Sequence, residues 1–138
     1  MTYFFDRCFP VRLAQALRIL HGTDAKSTIQ LVHFNDRPEF LQNTPDVEWI
    51  KSVSQWHPKP IVISADCAIL KKPDEIRELE RANLIFVCLA KQWPEMSIWD
   101  QAWRFIKMWP QITAQVEGLK RPEMFSLSGG HTPKLEKL

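Results

Sequence analysis

The chain is 138 residues long, 45% hydrophobic and 25% charged, the balance of one globular domain rather than of a disordered or fibrous segment. A formal charge of +2 permits a polyanionic partner, but no clustered basic stripe marks one. The first residues carry an early acid and no apolar run of signal-peptide length, and no segment approaches the roughly 20 apolar residues of a membrane span, so a membrane location is not expected.

Thr2–Asp6 is short, apolar and aromatic, and stops at an acid, which reads as a buried strand. Pro10 opens a helix with Leu13, Ala16, Leu17 and Leu20 at helical spacing, and Gly22 is its expected C-cap. Thr28–Phe34 reads as a second strand, followed by a polar connection from Asn35 to Thr44. Thr44-Pro45 has the form of an N-cap and first helical residue, for a helix running to about Trp56 with Trp49, Ile50 and Val53 inward.

Ile61–Ser64 is a third strand with Asp66 just beyond it, then a short apolar turn at Ala68–Leu70 and a charged surface helix from Pro73 to Arg81. Leu84–Leu89 is a fourth strand. Ser97–Trp109 reads as a helix that Pro110 kinks or ends, because an interior proline forfeits a backbone hydrogen bond. Trp99, Trp103 and Trp109 fall on its apolar face and are expected in the core, as is Trp49. Met124–Leu127 suggests a last edge strand; Ser128–His131 is a turn signal, and Lys134–Leu138 is either loose or pairs back as a hairpin.

Strands alternating with helices predict an α/β fold: a mostly parallel sheet with helices on both faces, three layers in all. Residues 1–127 form the domain and 128–138 a carboxy-terminal tail. Cys8, Cys67 and Cys88 are odd in number and lack the paired spacing of a zinc site, so reduced thiols and a cytoplasmic location are expected, with Cys8 and Cys67 as buried packing residues.

In such folds ligands bind beyond the carboxyl ends of the strands, and acids fall there. Asp6 closes the first strand, Asp66 follows the third, and Asp46 opens the helix between the second and third on the same face as Trp49 and Ile50. These three are the candidate ligands of Mg²⁺ or Mn²⁺, hard cations that prefer carboxylate oxygens and that activate water for phosphodiester hydrolysis. Asp36, in a loop, and Glu48, on a more solvated face, are second-rank candidates. Arg7, Arg37, Lys71 and Lys72 flank the same edge and are candidate phosphate contacts, against the plainer reading of solvated surface charge. His33 lies in a strand pattern and is expected in the core, and His131 in a turn.

Tyr3-Phe4-Phe5-Asp6-Arg7-Cys8 resembles the opening of the VapC-type PIN-like domains that serve as toxins in bacterial toxin–antitoxin pairs. Three further stretches resemble that group: His33–Arg37, Thr44–Ile50 and Val62–Asp66. With the Trp99–Pro110 helix, the resemblance runs from Thr2 to about Leu127. It implies a metal-dependent endoribonuclease acting on RNA and restrained by a cognate antitoxin, with a homodimer as a further partnership. It matches the family's first acid to Asp6, its middle acid to Asp46 or Glu48, and its third to Asp66. Members of the family often carry another acid after the third, and Cys67-Ala68-Ile69 offers none. The alternative is a PIN-like RNA- or protein-binding module with a degraded metal site. A phosphoacceptor domain of the receiver type is disfavoured, since only Lys91 follows the fourth strand.

Overall fold

The computed structural model describes residues 1–22 and 28–138. Six strands form one sheet in the order β2-β1-β3-β4-β5-β6: β1 Thr2–Phe5, β2 Gln30–His33, β3 Ile61–Ser64, β4 Phe86–Leu89, β5 Met124–Leu127 and β6 Leu135–Lys137. All neighbours pair in parallel except β5 and β6, which run antiparallel with Ser126 opposite Glu136. Helices α1 Val11–Gly22, α2 Asp46–Ser54, α3 Pro73–Ala82 and α4 Ile98–Glu117 supply the outer layers. The fold is the expected mixed α/β/α sandwich with a mostly parallel sheet.

Because strand side chains alternate between faces, each strand feeds two cores. Tyr3, Phe5, Ile61, Ile63 and Val87 point to one side, where α1 covers them with Leu13 and Leu17 and α4 with Phe105, Trp109 and Ile112. Phe4, Val62, Phe86 and Cys88 point to the other, under Trp49, Ile50 and Val53 of α2 and Leu79 of α3. Both faces are sealed, so the central strands are apolar on both sides instead of alternating. Each buried large side chain contributes about 1.5–3 kcal/mol.

Local chemistry moves several boundaries. Strand β2 stops at His33 because its imidazole Nδ1 accepts from Asn35 N–H while Asp36 accepts from His33 N–H, a reciprocal cap that turns Phe34–Asp36 into a 3₁₀ turn. Thr44 does not cap α2: its hydroxyl accepts from Leu41 N–H instead, and Pro45 occupies the N-cap position. Pro110 does not end α4, which runs on to Glu117. Pro110 itself is exposed, while Met108, Trp109, Ile112 and Val116 hold the helix to the sheet on either side of it.

The tryptophans divide. Trp49, Trp93 and Trp109 are buried, but Trp99 is 81% and Trp103 42% exposed, contrary to the core placement expected for them. The apolar stripe of α4 is wider than the surface α1 and the sheet offer, so its first turns overhang. The cysteines also differ from expectation: Cys67 and Cys88 are joined by a disulfide, and Cys8 keeps an exposed thiol. Nothing in their 21-residue separation signals the bond; it arises because the β3–α3–β4 crossover returns Cys88 beneath the turn that carries Cys67. The pairing removes the cysteine argument for a reducing compartment. No helix among the described residues is long and apolar enough to cross a membrane.

The edges of the sheet are β2 and β6. Gln30 N–H bonds inward to Met1 C=O, so the alternate residues Leu31 and His33 aim their peptide groups outward. Arg18 donates to Leu31 C=O from both Nε and Nη2, at 3.2 and 3.0 Å, and Asp36 accepts His33 N–H at 2.8 Å. Arg18 and Asp36 pair with each other at 2.5 Å.

Candidate active site

Asp6 follows the last residue of β1 and is 6% exposed. Its backbone N–H still bonds to Ile63 C=O, which fixes the carboxylate over the ends of the two central strands. Oδ1 accepts from Phe9 N–H at 3.1 Å and Ala65 N–H at 3.3 Å, and Oδ2 from the Ser64 hydroxyl at 2.5 Å. Burial pushes its pKa up to about 6 despite those three donors, and the neighbouring charge of Asp46 adds to the rise. A carboxylate held this way carries a negative charge that its surroundings under-compensate.

Asp46 opens α2 and is only partly exposed. Arg7 Nη2 approaches its Oδ1 at 3.1 Å, Trp49 Nε1–H donates to the same oxygen at 2.9 Å, and Lys72 Nζ stands 3.9 Å from Oδ2. Arg7 also donates to Gln42 C=O and Thr44 C=O, and its guanidinium lies 5.0 Å from the centre of the Phe34 ring. Arg7 therefore ties the β1 end to the loop that launches α2, a positioning task.

Asp66 is exposed and caps the 3₁₀ turn Cys67–Lys71, accepting Ala68 N–H at 2.7 Å. Ser64 connects it to Asp6: the hydroxyl that donates to Asp6 also accepts from Asp66 N–H at 3.1 Å. A cleft of about 440 Å³ opens here, lined by Cys8, Asp66, Cys67, Lys71 and Lys91 among others. The Cys8 thiol is pushed up by burial and then by the charges of Asp6 and Asp66, with Arg7 opposing and Asp46 adding to the rise. That rise makes Cys8 a poor nucleophile.

Of the remaining candidates, Lys71 and Lys72 stay beside Asp66 and Asp46, and the others lie elsewhere. Asp36 serves the β2 edge and Arg18; burial opposes its charge, but the His33 N–H and Arg18 outweigh it and lower its pKa. Glu48 is exposed on the outer side of α2. Arg37 pairs with Glu39 at 2.7 Å and stacks 4.6 Å from the Trp56 ring centre, while Lys71 and Lys72 remain exposed at the edge. His33 is buried, as its strand position suggested, donating from Nε2 to Phe9 C=O at 2.8 Å as a neutral imidazole, and burial lowers its pKa. Ser64 is the participant sequence reasoning missed; its place at the end of β3, two residues before Asp66, is the signal that could have found it.

The donor chemistry of Asp6, Asp46 and Asp66 suits a hard divalent cation, and the under-compensated charge of Asp6 is what such an ion relieves. Their placement is different: among the described residues no three His, Cys, Asp or Glu side chains stand together as a ligand group. Asp46 is turned to Arg7 and Trp49, and Asp66 to its own turn.

A mostly parallel sheet between helical layers, with Asp6 and Asp66 following the carboxyl ends of two central strands, defines an α/β/α domain with acids at its carboxyl edge. The sequence model described as PIN like domain matches residues 1–91, and the chain belongs to that family. The match spans β1 through β4 and so includes Asp6, Asp46 and Asp66. No curated protein and no solved structure matches the chain.

Proposed function

We propose that this PIN-like domain is a metal-dependent endoribonuclease, the VapC-type toxin of a toxin–antitoxin pair, working on RNA in the cytoplasm. The observation that carries the proposal is the placement of Asp6 after β1, Asp66 after β3 and Asp46 at the start of α2, at the carboxyl edge of the sheet, with the Ser64 hydroxyl linking Asp6 to Asp66. Asp46 and Asp66 have structural partners of their own, but the buried Asp6 carboxylate has no cationic partner among the described residues, and its charge costs stability unless a cation or a reaction uses it.

In this reading Asp6, Asp46 and Asp66 would hold Mg²⁺ or Mn²⁺, which when bound lowers the pKa of water and offsets charge on the phosphate. Ser64 keeps Asp6 oriented through its 2.5 Å hydrogen bond. Lys71 and Lys91, on the wall of the cleft beside Asp66, supply positive charge for the RNA backbone. Lys72 stands 3.9 Å from Asp46 and extends that rim. Arg7 holds Asp46 in the absence of a competing cation.

That last contact also favours a second reading, a PIN-like binding module without cleavage, in which the Arg7–Asp46 pair has replaced the metal. Cleavage of a labelled single-stranded RNA separates the two. Cutting with Mn²⁺, abolished by EDTA and by Asp6→Asn, establishes the nuclease. Absence of cutting together with absence of Mn²⁺ binding establishes the module.

A further inference from the structure

The first turns of α4 and α1 both follow strand ends at the carboxyl edge, after β4 and β1, so the cleft between them opens on the same edge as Asp6. Arg12, Leu13 and Ala16 of α1 and Ile98, Trp99 and Ala102 of α4 line this cleft of about 210 Å³. Trp99 is 81% exposed, a large flat apolar surface offered to solvent. One turn on, Trp103 is 42% exposed, with the Arg104 guanidinium 5.1 Å from its ring centre and the His131 ring stacked on it at 6.4 Å and 28°.

We propose that Trp99 and Trp103 form a base-stacking platform for single-stranded RNA, placing nucleotides that flank the bond cut at the acidic edge; this rests on the nuclease reading. Charge selects the occupant. Arg12 beside Trp99, Arg104 on Trp103 and Lys107 one turn further along α4 are cationic, while Asp100 accepts the Trp103 indole N–H at 3.2 Å. The Arg104 Nε is buried and lacks a hydrogen-bond partner among the described residues. Exposed indoles between cations match what a strand presents when unpaired, flat bases joined by phosphates. A duplex hides its base faces and does not fit.

The test measures binding of a fluorescent 12-nucleotide single-stranded RNA, and of an abasic strand of equal length, by anisotropy in EDTA. The parent and Trp99→Ala/Trp103→Ala are compared, with circular dichroism and melting to confirm that the exposed substitutions leave the fold intact. Base-bearing RNA is expected to bind the double variant about 10-fold or more weaker, while abasic affinity stays the same. Equal parental affinity for both strands, or undiminished RNA binding by the variant, overturns the platform. A parent that sediments as a dimer and a variant that sediments as a monomer assign the face to a second copy, and overturn it too. Metal-dependent cutting with unchanged variant binding removes the platform but leaves the nuclease. Tryptophan-dependent base binding without any cutting removes the nuclease and leaves the platform.

Discussion

Asp6→Asn separates what the acidic edge does for chemistry from what it costs the fold. The buried carboxyl titrates near 6 in the folded protein against an ordinary value of 3.8. A raised carboxylate pKa means that the folded state holds its proton more tightly than the unfolded chain does. The stability this brings is complete below about pH 4 and is lost as pH rises through 6. About two units at about 1.4 kcal/mol each amount to about 3 kcal/mol by neutral pH. Asparagine keeps an oxygen for the Phe9 and Ala65 N–H groups and turns an amide donor to the Ser64 hydroxyl, without the charge. In EDTA at pH 8 the variant is expected to exceed the parent by about 2–3 kcal/mol, about 10 °C in melting temperature for a domain of this size. Near pH 4 the two should converge. Urea unfolding followed by the fluorescence of the buried Trp49 and Trp93 reads both values. A variant less stable than the parent at pH 8, or a gap independent of pH, would refute the reasoning.

Arg7→Gln frees Asp46, so Mn²⁺ should raise the variant's melting temperature more than the parent's, although loss of the Gln42, Thr44 and Asp46 contacts lowers the metal-free value by about 1–3 kcal/mol; an unchanged Mn²⁺ response counts against competition. Reducing the Cys67–Cys88 bond should lower stability by about 3 kcal/mol, from the entropy of a loop closed across 21 residues, read as a urea midpoint with and without reductant. Trp93→Phe removes the donor shared by Leu127 C=O and Ser128 C=O, at 3.0 and 3.1 Å, and should cost about 1–3 kcal/mol in the same assay.

The fold was legible because its signals are periodic. Apolar runs ending at Asp6 and Ser64, separated by helical spacing in α1 and α2, leave few alternatives to a parallel sheet. The site was legible in part, since strand-end acids can be placed from topology alone, whereas their orientation cannot. That Asp46 faces Arg7 and Trp49, and Asp66 its own turn, follows from rotamers and hydrogen bonds formed only when distant segments meet. The disulfide was hidden for the same reason. Trp99 and Trp103 misled differently: helical periodicity shows that a stripe is apolar, not how much of it the protein has surface to cover.

Asp36 drew attention as a metal candidate, and its contact with the His33 N–H suggests how the β2 edge is protected. A sheet that ends in free peptide groups invites any extended chain to add on, copy after copy. At one end the edge strand β6 is only three residues long, Leu135–Lys137, with two charged side chains. At the other, Arg18 and Asp36 bind the outward carbonyl and amide as a visiting strand would, with charges that no strand can stack against. Replacing either side chain would leave the acidic edge intact and expose a template for assembly, so that the damage would appear as aggregation.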